Sequence, residues 1–147
     1  MTARVVIIDD EVEVCELLAK VLTRAGYDVR CAVSGEEGLS SVQPGEVDCL
    51  VVDKQLPGMH GGEVVAEARR RIPGLPVVLI TAHPEPFSLG TERPDVCLAK
   101  PFKSLKAIED AVVLALESGA ATGPLSDLRQ RLTQVVAEIA PSRKKRV

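Results

Sequence analysis

The sequence predicts an α/β fold, a doubly wound five-stranded parallel sheet, and three observations predict it. Short apolar runs rich in β-branched residues alternate with stretches of helical periodicity, the mark of repeated strand–helix–strand units. Those runs are apolar throughout, as strands buried on both faces must be. Apolar residues make up 46% of the 147 and aromatics only 2%, so one aliphatic core of ordinary size is expected.

Val5 to Ile8 is the first run, and it ends at Asp9-Asp10-Glu11. Cys15, Leu17, Leu18, Val21, Leu22 and Ala25 then recur at helical spacing, and Gly26 stands where that helix should stop. Asp28 to Ala32 reads as a short second strand. Ser34 and Glu37 have capping-box spacing for a second helix, which Pro44-Gly45 ends. Val47 to Val52 is the third strand and delivers Asp53 at its carboxyl end. A loop rich in Pro and Gly, Lys54 to Gly61, leads to a third helix from Gly62 to Ile72, with Val64, Val65, Ala68 and Ile72 on one side; Pro73-Gly74 closes it. The fourth strand, Val77 to Ile80, ends at Thr81, and the fifth, Val96 to Ala99, ends at Lys100-Pro101. Between them, His83 to Pro94 holds three prolines and a glycine, so a helix there is short or broken. Ser104 to Ser118 is helical, with Leu105, Ile108, Val112 and Leu116 inward.

This reading divides the chain into one domain over 1–118, a small-residue linker over 119–125, a helix over 126–140 and a basic disordered tail over 141–147. Leu125, Leu128, Leu132, Val135 and Ile139 lie 3, 4, 3 and 4 apart, an a/d seam two heptads long. Such a helix either packs back on the domain, self-associates into a homodimer or docks on another partner. Two heptads alone make a marginal coiled coil, so a dimer would also use the domain. Through Ser118 the chain has 12 Lys and Arg against 19 Asp and Glu, a net of -7; from Gly119 onward 6 against 2 gives +4. An acidic body lacks the cationic face that nucleic-acid binding needs. No apolar run reaches the roughly 18 residues of a membrane span, and no signal-peptide pattern opens the chain. Cys15, Cys31, Cys49 and Cys97 lie far apart, each within an apolar run, as small hydrophobes rather than a zinc or disulfide framework. These readings together give a cytoplasmic protein in a reducing compartment.

In an open parallel sheet ligands bind beyond the carboxyl ends of the strands. Sorted by that rule, Asp9 and Asp10 follow the first strand, Asp53 the third, Thr81 the fourth and Lys100 the fifth. Strand ends are where polar residues begin in any case, but that accounts for one or two of these groups, not for all five. Carboxylates about 4 Å apart repel by on the order of 4 kcal/mol per pair at an effective dielectric near 20. A hard divalent cation relieves that cost, and an all-oxygen set favours Mg2+, or Mn2+. Lys100 and Thr81 add donors around a place where a phosphoryl group would spread its charge over three oxygens. Asp53, midway between the acidic pair and the Thr–Lys pair, is the natural acceptor, and a carboxylate nucleophile yields an acyl phosphate.

With these residues in view, the sequence resembles the receiver domain of two-component response regulators, in its single-domain, chemotaxis-regulator-like form. The matching segments are Val6-Ile-Ile-Asp9-Asp10-Glu11, Val51-Val-Asp53-Lys-Gln-Leu-Pro57-Gly-Met59-His-Gly61, Val78-Leu-Ile-Thr81-Ala82 and Leu98-Ala-Lys100-Pro101-Phe102. They occur in order and at suitable spacing, and the resemblance covers about residues 4 to 118. The resemblance implies a flavodoxin-like sheet of order 2-1-3-4-5 and a chain that signals rather than turns over a separate substrate. It implies that a histidine kinase or histidine phosphotransfer protein donates a phosphoryl group to Asp53, and that the chain then signals through contacts with an unidentified downstream protein. Asp10 and Asp53 would bind the cation directly, Asp9 largely through water, and the Gln55 carbonyl would complete the protein ligands. Thr81 and Lys100 would hold the phosphoryl oxygens, Ala82 would leave the site open, and the Lys100–Pro101 bond would be cis.

Two departures from the family pattern carry expectations of their own. Cys97 stands where the family has an aromatic switch residue three positions before the lysine. The stretch between Thr81 and Lys100 is also shorter than usual, so the signal is expected to leave by an altered route. Gln55 and His83 occupy positions able to set acyl-phosphate lifetime; His83 also reads as a solvated loop residue, as does His60. Three rivals come into view; the first two want features that this sequence lacks, and the nucleotide-binding one is set aside. An aspartyl phosphohydrolase wants its nucleophile after the first strand, a nucleotide-binding domain wants a glycine-rich loop there, and a degenerate receiver would keep the fold as a phosphorylation-independent scaffold or dimerisation module.

Overall fold

The computed structural model describes residues 2–82, 94–100 and 104–120. Five strands, β1 (Arg4–Ile8), β2 (Asp28–Ala32), β3 (Cys49–Asp53), β4 (Val77–Thr81) and β5 (Val96–Ala99), form one parallel sheet in the order β2-β1-β3-β4-β5. The described helices are α1 (Val12–Arg24), α2 (Gly35–Ser40), α3 (Gly61–Arg71) and α4 (Lys106–Ala120). The doubly wound fold and its strand order are those expected.

The core explains why the inner strands are apolar without alternation. Val5 and Ile7 of β1, Cys49 and Val51 of β3, and Val78 and Ile80 of β4 face one layer, where α1 contributes Cys15, Leu18 and Leu22 and α4 contributes Ile108, Ala111 and Val112. Their strand neighbours Val6, Ile8, Leu50, Val52, Val77 and Leu79 face the opposite layer, with Leu39 of α2 and Val64, Val65 and Ala68 of α3. Burying each such Val, Leu or Ile is worth roughly 1.5–3 kcal/mol, so a polar residue on either face of β1 or β3 would cost one layer directly. The edge strands are buried less completely, most plainly β2, where Asp28, Arg30 and Cys31 are exposed.

The local expectations are corrected at several points. Leu17 is 42% exposed, off the stripe of α1 that meets the sheet; Leu105, 44% exposed, and Ala25, also exposed, lie just outside the ends of their helices. Cys31 is exposed on β2 rather than buried in an apolar run. The second helix stops at Ser40, before Pro44-Gly45; Ser34 Oγ accepts from the Glu37 N–H at 3.1 Å, one half of a capping box. The third helix begins at Gly61, with His60 as its N-cap and Glu63 accepting from the His60 N–H at 3.3 Å. The last described helix starts two residues late and runs to Ala120, into the expected linker. His83, Pro101 with its bond to Lys100, the stretch expected to hold a short or broken helix, and the 126–140 helix with its leucine seam lie outside the described residues.

Candidate functional site

Register brings the polar ends together. Ile8 is opposite Val52, which places Asp9 level with Asp53, and Asp53 is opposite Ile80, one residue short of Thr81. Thr81 is opposite Ala99, so Lys100 lies one residue further out. Backbone bonds carry the ladders past the strands: Asp9 N–H donates to the Ala32 carbonyl at 3.1 Å, Lys54 N–H to Ile80 at 2.7 Å and Lys100 N–H to Thr81 at 2.8 Å. The site residues are therefore held by sheet pairing.

Asp9, Asp53 and Thr81 are the buried polar residues of the described chain, and Asp10 is exposed at the rim. One carboxylate oxygen from each of Asp9, Asp10 and Asp53 lies within 4.8 Å of the others. Asp9 Oδ1 accepts from the Glu11 N–H at 2.9 Å and Asp53 Oδ1 from the Gln55 N–H at 3.0 Å, two short turns that lock both carboxyl groups. Lys100 Nζ donates to Asp53 Oδ2 at 3.0 Å, to Asp9 Oδ2 at 3.2 Å and to Glu11 Oε1 at 3.4 Å. Because β5 is separated from β1 by β4 and β3, this one ammonium ties loops from both halves of the sheet.

Burial pushes the Asp9 carboxyl upward from its ordinary value, and the Asp53 charge adds to this; the Glu11 amide and Lys100 pull it back. Burial also works against the Lys100 ammonium. The bonds and charges of Asp53 and Asp9 outweigh it and hold the ammonium above its ordinary value, so Lys100 is a cation at neutral pH. The donor set is all oxygen, which suits a hard divalent ion.

Asp9, Asp10, Asp53, Thr81 and Lys100 thus meet where strand order predicts. Gln55 is exposed beside Asp53, and Ala82 is exposed next to Thr81. Cys97 is half-buried on β5 opposite Leu79, two residues below the Thr81 level. Two residues of the site were not singled out from sequence. In the sequence Glu11 is only the last member of an acidic run. Gly61 stands behind Asp53, where an added Cβ would lie 2.6 Å from the Asp53 carbonyl oxygen and 2.6 Å from Lys54 Cα. The Gly-Gly pair after the loop was the one available signal for it.

A parallel sheet with this acid–lysine pocket beyond its carboxyl ends is the arrangement of a receiver-type domain, and comparison with known proteins agrees. The pattern of the family described as "Response regulator receiver domain" matches residues 5–112. The chain belongs to the response regulator receiver domain family. It is 33% identical over 132 residues to the alkaline phosphatase synthesis transcriptional regulatory protein PhoP of Bacillus subtilis (strain 168), covering 88% of this chain and 55% of that protein. The chain therefore spans about half the length of this relative. Among solved structures, a CheY-like receiver from Methanospirillum hungatei JF-1 shares the fold with a TM-score of 0.75 at 24% identity, over 84% of this chain and all 100% of that one. The response regulator TrrA of Thermotoga maritima, solved in complex with Mg(2+)-BeF, is 34% identical with a TM-score of 0.53, over 56% of this chain and 72% of that one. No described helix is long and apolar enough to cross a membrane.

Proposed function

We propose that this chain accepts a phosphoryl group on Asp53 from a histidine kinase or histidine phosphotransfer protein, in a reaction that requires a divalent cation. The carrying observation is the Lys100 ammonium bonded to both Asp53 and Asp9, with the Asp10 carboxylate within reach of both. The three carboxylates fit an oxygen-seeking ion such as Mg2+, or Mn2+. Asp10 and Asp53 would hold it directly, Asp9 through water, and the Gln55 carbonyl would complete the set. When bound, such an ion offsets negative charge on the carboxylates and on the incoming phosphoryl group. The Mg(2+)-BeF complex of TrrA supports this reading.

In the proposed step, one Asp53 carboxylate oxygen forms a bond to phosphorus while the bond from phosphorus to the donor's leaving atom breaks, and that atom keeps the electron pair. The product is an acyl phosphate. The buried Thr81 hydroxyl and the Lys100 ammonium hold phosphoryl oxygens, and Gln55 N–H keeps the carboxyl group oriented. Ala82, small and exposed, leaves the site open, and Gln55 and His83 set how fast water removes the phosphoryl group. The chain acts in the cytoplasm as a signalling phosphoacceptor, not as an enzyme turning over a separate substrate, and passes its state to a downstream protein by contact.

The test is incubation with magnesium and acetyl phosphate, followed by intact-mass measurement. The wild-type chain gains one phosphoryl group, Asp53→Asn does not, and Asp28→Asn, altered at an exposed position of β2, still does. No gain by the wild-type chain under saturating reagent would instead favour a scaffold that keeps the receiver fold without the chemistry.

A further inference from the structure

We propose that Glu11 is a positioning residue that latches Lys100 in the unloaded pocket, and that the phosphoryl group displaces it. The inference rests on the phosphoacceptor reading of Asp53 and goes beyond it. An ammonium has three N–H donors. In this pocket Lys100 has three carboxylate partners, Asp53, Asp9 and Glu11. A phosphoryl oxygen that needs a donor from Lys100 must therefore take it from one of them.

The three partners are not equivalent. The side chains of Asp9 and Asp53 are 0% and 8% exposed, so while the phosphoryl group approaches and Asp53 is still a carboxylate, stripping the ammonium from either leaves a buried charge unpaired. The Glu11 side chain is 63% exposed, its bond is the longest of the three at 3.4 Å, and water can replace Lys100 as its partner. Glu11 is the partner that leaves.

Its place in the fold argues for the same role. Glu11 is the N-cap residue of α1, where a short Ser, Thr, Asp or Asn would bond a first-turn N–H and contribute about 1 kcal/mol. Glu11 makes no such side-chain cap bond. Its carboxylate reaches instead across the mouth of the pocket to Lys100, while its N–H is held by Asp9. Backbone and side chain of this residue are both committed to the pocket, so loading Asp53 frees the start of α1 on the side-chain side only.

Two mechanisms are separable by substitution. A negative charge at the mouth repels an anionic donor and acts on donor binding. A latch acts on the later step in which Lys100 changes partners. Glu11→Gln removes the charge and leaves only a weaker, neutral amide acceptor for Lys100; Glu11→Asp keeps the charge but, one methylene shorter, loses the contact. Glu13→Gln removes an exposed charge from the first turn of the same helix.

Loading by acetyl phosphate is followed at saturating magnesium and low salt. Glu11→Gln and Glu11→Asp should both raise the maximal loading rate, by about twofold to fivefold, the range expected for one exposed ion pair. Glu13→Gln should match the wild-type chain. Without any phosphodonor, the Lys100 ammonium protons, followed by NMR, should exchange with water faster in both Glu11 variants. A Glu11→Asp protein that loads like the wild type, a change confined to the half-saturating donor concentration, or unaltered ammonium exchange each overturns the latch. A wild-type chain that never loads overturns the phosphoacceptor reading instead, so the two failures are distinct.

Discussion

Gly61 shows how tightly the backbone is drawn up behind Asp53. Its N–H donates to the Lys54 carbonyl at 2.8 Å, and the Cβ of any other residue would meet backbone atoms of Asp53 and Lys54, which cannot yield as a side chain would. Gly61→Ala should cost about 2 kcal/mol or more, seen as a lower urea midpoint at unchanged slope. The cysteines make a second case at this scale. Burial pushes the Cys15 and Cys49 thiols upward from their ordinary values, whereas Cys31 is exposed. Alkylation of the folded protein at mildly alkaline pH should modify Cys31 while sparing Cys15 and Cys49, and urea should expose all of them. Equal labelling of Cys31 and Cys49 in the folded state would contradict the burial described. All four cysteines looked alike in sequence, because an apolar run does not reveal whether its strand ends up at the sheet's edge.

Element by element, the inner strands were legible because burial on both faces leaves an unmistakable run of apolar residues. Helix faces were less so. Leu17 follows the apolar pattern of α1 as well as Leu18 does, yet it lies 42% exposed, since the width of the buried stripe depends on where α4 settles. Contacts between distant segments left no local pattern at all. Arg69 of α3 donates to Asp95 Oδ2 at 2.9 Å and to the Leu75 carbonyl at 3.1 Å, and the same Asp95 oxygen accepts the Val77 N–H at 2.7 Å. This clasp fastens the start of β4 to the start of β5 and to the last turns of α3. Asp95→Ala would leave both a half-buried guanidinium and a strand N–H without this acceptor, at a cost of about 2–3 kcal/mol. Thermal unfolding measures it, and a loss under 0.5 kcal/mol would show that the clasp is decorative.

For the whole molecule, the site was legible to the extent that strand order was. Once the sheet is parallel, the rule that ligands gather at carboxyl ends selects Asp9, Asp10, Asp53, Thr81 and Lys100 with no knowledge of their contacts. Glu11 was not so selected, because its reach to Lys100 depends on a rotamer and not on a strand end. The clustered carboxylates also set a global balance. Asp9, raised by burial, favours folding in its protonated form, so its contribution to stability falls as pH rises through its folded-state value. Without added cations at neutral pH, Asp9→Asn should melt higher than the wild type by a few degrees, about 1 kcal/mol, and the advantage should shrink on acidification. Magnesium should raise the melting temperature of the wild type and much less that of Asp9→Asn or Asp10→Asn. Equal shifts in all three proteins would argue against an ion among these carboxylates.

The position of Lys100 on the last strand has a consequence for how the molecule is made. A ribosome delivers Asp9, Asp10 and Asp53 well before it delivers the cation that neutralises them, so the growing chain carries an uncompensated acidic knot until β5 docks at the sheet's edge. The complete acid–lysine cluster is therefore a late acquisition of this domain during synthesis, and a shortened product ending before β5 lacks the lysine that completes it.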